Sequence, residues 1–139
     1  MKELRPFHLA VPVHNLAAAR TFYREIIGCE EGRSSSHWVD FNFFGHQFVI
    51  HYSDSMPELI TNAVDKKSIP VPHFGVVLEQ NDWNSLAQKL RIQEIPFVVE
   101  PYTRFKGEVG EQSTMFLLDP SGNALEFKAF KNISQLFAR

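Results

Sequence analysis

The spacing of apolar residues changes several times along this chain, and each change marks an element. Residues 7–13 (Phe-His-Leu-Ala-Val-Pro-Val) form an apolar run closed by a proline, which predicts a short strand with the proline at a sheet edge or a strand end. Leu16, Ala19, Phe22, Tyr23, Ile26 and Ile27 follow helical spacing, with Asn15 placed to cap the helix and Gly28 to stop it. Residues 29–37 are polar and irregular. Trp38–Phe44 then alternates with period two, and a turn at Gly45-His46 joins it to Gln47–Tyr52, predicting a hairpin. Residues 54–71, polar and proline-bearing, read as a linker.

The same order then returns. His73–Leu78 predicts a strand, and Asn81 caps a helix from Asp82 to Ile92 with Trp83, Leu86, Ala87 and Leu90 on one face. Phe97-Val98-Val99 is a short strand, and residues 100–112 read as a polar, glycine-bearing mobile loop. Strands Ser113–Leu118 and Ala124–Phe130 flank a turn at Asp119–Asn123. Ile133, Leu136 and Phe137 predict a C-terminal amphipathic helix over about residues 132–138. The periodicity supports one α+β domain over 1–139, with a mixed sheet and two main helices. Module 1 covers about 6–53 and module 2 about 72–130.

The repeat gives four residues chemical interest. His8 and His73 open corresponding apolar runs about half a chain apart, while His51 and Glu126 lie near the ends of others. Matching the halves by element order sets His8 opposite His73 and His51 opposite Glu126. Glu126 stands between Leu125 and Phe127, where a carboxylate is costly to bury unless it is paired or metal-bound. Two neutral imidazoles and a carboxylate leave coordination positions of a divalent ion open to substrate. His8, His73 and Glu126 are therefore candidate metal ligands. His51 is a fourth ligand or the proton carrier. Phe41 and Phe43 are candidate substrate contacts on their strand, and Arg104 is a candidate anchor for an anionic group in the long loop. His14, His37 and His46 read as surface histidines.

Composition narrows the partners. The chain has 139 residues, 44% hydrophobic and 22% charged, with a net charge of −2, so no basic stripe argues for nucleic acid or an anionic membrane. Aromatics reach 13%, enough to fill a core and line a pocket for a small molecule. The lone cysteine, Cys29, cannot form an intrachain disulfide and reads as a small buried hydrophobe. Residues 1–6 lack an apolar signal core, and no run reaches transmembrane length. The expectation is a cytoplasmic protein.

Two segments carry a resemblance to a known family. Ala19-Arg20-Thr21-Phe22-Tyr23-Arg24-Glu25-Ile26-Ile27-Gly28 resembles a helix ending in a Phe-Tyr pair, an apolar pair and Gly. Asp119-Pro120-Ser121-Gly122-Asn123-Ala124-Leu125-Glu126 is similar to an Asp-Pro-x-Gly-x-x-x-Glu hairpin. Both are features of the vicinal oxygen chelate superfamily, which includes glyoxalase I, extradiol dioxygenases and fosfomycin-resistance enzymes. The resemblance spans nearly the whole chain, and Phe7–Phe48 looks like proteins described as predicted extradiol dioxygenases. It implies two tandem βαβββ modules whose sheets curl around a metal-lined cleft. It also implies His8, His73 and Glu126 as ligands, His51 as a fourth in the glyoxalase branch, and a homodimer.

The departures guide the choice of chemistry. Pro12 stands where glyoxalase I often has a glutathione-binding Arg. Phe116 stands where larger ring-cleaving enzymes carry a Tyr, and no His lies between His73 and Glu126. Tyr102 is then the candidate stand-in acid. The favoured expectation is a dioxygenase-like enzyme using Fe(II) or Mn(II). The alternatives are a glyoxalase-like lyase or isomerase with Ni(II) or Zn(II), and a non-catalytic small-molecule binding protein.

Overall fold

Every strand that the alternation predicts forms, and three more form that it does not predict. The computed structural model of the chain describes residues 3–139. The chain divides into two compact units. One comprises residues up to Glu58 together with Asp119–Asn123, the other Leu59–Leu118 together with Ala124–Arg139. The fold is α+β.

In the first unit, β1 (His8–Val13) leads to helix α1 (Leu16–Thr21), which continues as a π-helical turn over Phe22–Ile27. Asn15 caps it as expected, its side chain accepting from the Ala18 N–H at 3.0 Å, and Gly28 ends it at φ 89°. Then follow β2 (Glu30–Ser34), β3 (Trp38–Phe43) and β4 (His46–Tyr52), in sheet order β1-β4-β3-β2 with β1 parallel to β4. Pro12 thus lies on an edge strand, where its missing donor costs no ladder bond. The segment read as irregular at 29–37 contains β2. Its residues are mostly exposed, so no buried face imprints an alternation on the sequence.

Alternate positions of β3 and β4 bury Val39, Phe41, Phe43, Phe48 and Ile50. The Tyr23 ring lies 4.7 Å from Phe48 and 5.7 Å from Phe41, and Phe43 lies 5.5 Å from Phe48. Phe41 and Phe43, the expected substrate contacts, are 2% and 4% exposed and pack into the core. Each such ring contributes about 1.5–3 kcal/mol by leaving water.

The second unit opens with a hairpin, β5 (Ile60–Val64) and β6 (Lys67–Val71), inside the segment read as a linker. Both turn residues, Asp65 and Lys66, have positive φ, as a two-residue hairpin turn requires. Most of its residues are exposed, which hid it from the pattern. The expected strand at 73–78 is broken into β7 (His73–Phe74) and β8 (Val77–Leu78), each parallel to β11 (Ala124–Phe130). β10 (Gln112–Leu118) and β9 (Phe97–Arg104) complete the sheet, ordered β7-β11-β10-β9. Met115, Leu117, Leu125, Phe127 and Ala129 are buried on one face. Helix α2 (Gln80–Ile92) packs on β11, and its Trp83 indole N–H donates to the Phe127 carbonyl at 2.8 Å.

Three boundaries shift. Glu79, not Asn81, occupies the α2 cap position and makes no side-chain cap bond. The loop expected at 100–112 gives up its first five residues to β9, because they pair with β10 through Thr114↔Tyr102 and Gln112↔Arg104. The C-terminal helix is a 3-10 turn over Ile133–Gln135, with no buried residue to propagate it. No helix among the described residues is long and apolar enough to cross a membrane.

Candidate functional site

The second sheet brings two of the expected ligands together. His73 opens β7, and its register partner on β11 is Ala124, so Glu126 stands two residues further along on the same face. His73 Nε2 lies 3.2 Å from Glu126 Oε1, with side-chain exposures of 29% and 10%. The other ring nitrogen, Nδ1, faces the Pro70 carbonyl at 2.7 Å, and the ring sits edge-on to Phe116 at 4.9 Å. Thr114, fully buried, donates its hydroxyl to the second Glu126 oxygen, Oε2, at 2.5 Å. Lys128 Nζ reaches within 3.8 Å of Oε1.

These contacts set the charges. The hydrogen bond to Glu126 raises the His73 pKa above its ordinary value, against an opposing effect of burial. Burial pushes the Glu126 carboxyl up, but hydrogen bonds from His73 and Thr114 and the Lys128 charge outweigh it, and the net shift is downward. Both ring nitrogens of His73 face oxygen atoms, and either a proton or a metal ion between Nε2 and Oε1 makes that pair favourable. Two ligand atoms about 2.1 Å from a divalent ion lie about 3.0–3.4 Å apart when they occupy neighbouring coordination positions. The observed 3.2 Å fits that span. With Nδ1 turned to the Pro70 carbonyl and Thr114 bonded to Oε2, Nε2 and Oε1 are the atoms turned to an ion.

Gly75 makes the arrangement possible. A Cβ at this position would stand 1.5 Å from the Glu126 carbonyl oxygen, so only glycine lets the chain between β7 and β8 lie against β11. An isolated glycine in an otherwise apolar strand pattern was the available signal. Thr114 and Lys128 were legible only once the β10–β11 register was known.

His8 and His51 lie in the first sheet. His8 pairs in register with Gln47, and its Nδ1 is 2.9 Å from the Gln47 side-chain oxygen. His51 is exposed and pairs with Pro12, four positions along the same strands, roughly 13 Å away. The register also revises the equivalence read from element order. The residue two past the partner of His8 is Val49, so Val49, not His51, corresponds to Glu126. His51 corresponds to Lys128. Among the described residues no cluster of three or more His, Cys, Asp or Glu is poised to hold a metal.

Tyr102 and Arg104 lie on a strand, not on a mobile loop, and both are engaged. The Tyr102 hydroxyl donates to Asp65 Oδ2 at 3.0 Å, and Arg104 Nε donates to the same oxygen at 2.6 Å. These bonds, Tyr102 first, hold the Asp65 carboxyl below its usual range. Burial, then Asp65, raises the Tyr102 phenol. The hydroxyl proton of Tyr102 thus points to Asp65. Val64 and Tyr102 pack beside Ile69, Val99 and Phe116, so the β5–β6 hairpin covers part of the face that carries the His73–Glu126 pair.

The family model described as the Glyoxalase/Bleomycin resistance protein/Dioxygenase superfamily matches residues 5–127. The chain belongs to this superfamily. A solved superfamily structure, a glyoxalase/bleomycin resistance protein/dioxygenase from Alicyclobacillus acidocaldarius, is 32% identical, with 96% of each chain covered and a TM-score of 0.79. Two further structures share the superfamily fold at 17% identity and a TM-score of 0.68. They are a lactoylglutathione lyase from Agrobacterium tumefaciens (100% of each chain covered) and the fosfomycin resistance protein FosX from Listeria monocytogenes (97% of this chain, 98% of that one). No curated protein matches the sequence.

Proposed function

We propose that this chain is a divalent-metal-dependent enzyme acting on a small molecule with two adjacent oxygens, and that its reaction is of the dioxygenase type. The observation that carries the reading is the His73–Glu126 pair, 3.2 Å apart and oriented so that a cation belongs between its two atoms. We assign His8 as the third ligand and the assembly as a homodimer. A bound Fe(II) or Mn(II) ion would supply Lewis-acid stabilisation of negative charge developing on the chelated oxygens. The chain's own residues do the rest. Pro70 and Thr114 orient the ligands, and Phe116 walls the His73 ring. Because Val49 holds the position equivalent to Glu126, a three-ligand set is favoured over the four-ligand lyase set that would include His51.

Elemental analysis of anaerobically purified protein tests this. Iron or manganese at about one per chain, lost in His73→Ala and His8→Ala but kept in His51→Ala, is the expected result. Nickel or zinc lost in His51→Ala would replace the dioxygenase reading with lyase or isomerase chemistry. Failure to take up any metal on reconstitution would leave a small-molecule binding protein.

A further inference from the structure

Lys128 lies two residues beyond Glu126 on β11, on the same sheet face, and in register with Thr114 and through it with Tyr102. Its Nζ is 3.8 Å from Glu126 Oε1, the same oxygen that faces His73, and its side chain is 31% exposed. Two other cations of this unit have partners of their own. Arg104 is bound to Asp65, and Lys67 sits over the Tyr102 ring at 4.8 Å. Lys128 pairs with Glu126. A divalent ion on Glu126 Oε1 and His73 Nε2 would commit that carboxylate and leave an ammonium a few ångströms from a doubly charged centre. Like charges so close in a partly dehydrated site repel strongly unless a ligand brings negative charge between them.

We infer that Lys128 selects an anionic substrate, one whose adjacent oxygens include an ionised carboxylate or a comparable oxyanion that accepts a hydrogen bond from its ammonium. The inference rests on the metal reading of the previous section and adds the substrate class. Neutral vicinal diols and diketones would leave the Lys128 charge unopposed, whereas a carboxylate next to a hydroxyl or carbonyl oxygen satisfies ion and lysine together.

The test uses manganese-loaded protein titrated with oxalate, which carries two adjacent ionised oxygens. Oxalate binding is followed by calorimetry and by the manganese resonance spectrum, in the parent, Lys128→Gln and Lys128→Arg. Lys128→Gln should weaken oxalate about tenfold or more without weakening manganese, and Lys128→Arg should restore most of the loss. Unchanged oxalate affinity in Lys128→Gln, with manganese still bound, would overturn the inference alone. A parent protein that takes up no manganese, or a His73→Ala variant that takes up as much, would overturn the metal reading and this inference with it.

Discussion

In the first sheet β1 meets β4 with His8 beside Gln47, and in the second β7 meets β11 with His73 beside Ala124. Two residues along, the first pairing places Ala10 beside Val49, while the second presses Gly75 against Glu126. One further step of two reaches Pro12 with His51, and in the second sheet the charged Lys128. The backbone plan repeats, but the chemistry does not. A strand register places side chains on a face without determining what they are, so the same scaffold carries an apolar pair in one half and an ionisable cluster in the other.

The strongest way to break this comparison is to exchange the residues where the chains approach. Gly75→Ala forces a methyl into the Glu126 carbonyl and should destabilise the protein by about 3 kcal/mol or more, with loss of metal uptake. The reciprocal Ala10→Gly should cost only about 1 kcal/mol, the entropic penalty of a glycine in a strand. Denaturant midpoints decide it, and similar values for the two variants would refute the asymmetry.

Thr114→Val sharpens it at the next level. Glu126 would lose the donor on Oε2, and a buried carboxylate stripped of one partner should lower stability by about 1–3 kcal/mol. Metal uptake should weaken as well, because the carboxylate is then free to turn. A variant that unfolds and binds metal like the parent would show that Oε2 does not need the hydroxyl.

The smallest effect belongs to the first unit, whose buried polar anchor has no counterpart at a candidate site. Tyr23 donates to Asp119 Oδ2 at 2.8 Å, but Asp119 also accepts from the Ser121 and Asn123 backbone N–H groups and from the Asn123 side chain. Tyr23→Phe should therefore cost only about 1 kcal/mol. Burial first, then Asp119, holds the Tyr23 phenol well above its usual value. A folded pKa above the unfolded one contributes stability that is complete below about pH 10 and is lost as pH rises towards the folded value. Denaturation curves should show the parent losing stability in that alkaline window more steeply than Tyr23→Phe. Parallel pH profiles would contradict the assignment.

Much of the fold was legible because burial leaves a period. α1, with Asn15 at one end and Gly28 at the other, and β10 and β11 with their Asp119–Asn123 turn, all bury one face and carry the mark of it. β2, β5 and β6 are largely exposed, so nothing in their composition distinguishes strand from loop. Half of the candidate site was legible for a related reason. Glu126 between Leu125 and Phe127 advertises a buried carboxylate, and His73 at the head of an apolar run points to the same sheet. Element order alone does not give hydrogen-bond register. Register matches Val49, and not His51, with the position of Glu126.

Local order and composition were enough to determine the two-fold repetition of strand and helix, the principal helices, and the presence of ionisable residues on apolar strands. Each depends on spacing along the chain, and spacing is what a sequence contains. Only the tertiary structure decided that His73 Nδ1 faces the Pro70 carbonyl, that Thr114 rather than a closer neighbour in sequence holds Glu126 Oε2, and that Lys128 shares the same oxygen as His73. Those contacts join residues on separate strands. They exist because strand pairing sets a register across the sheet, and a shift of one residue would turn each side chain to the opposite face.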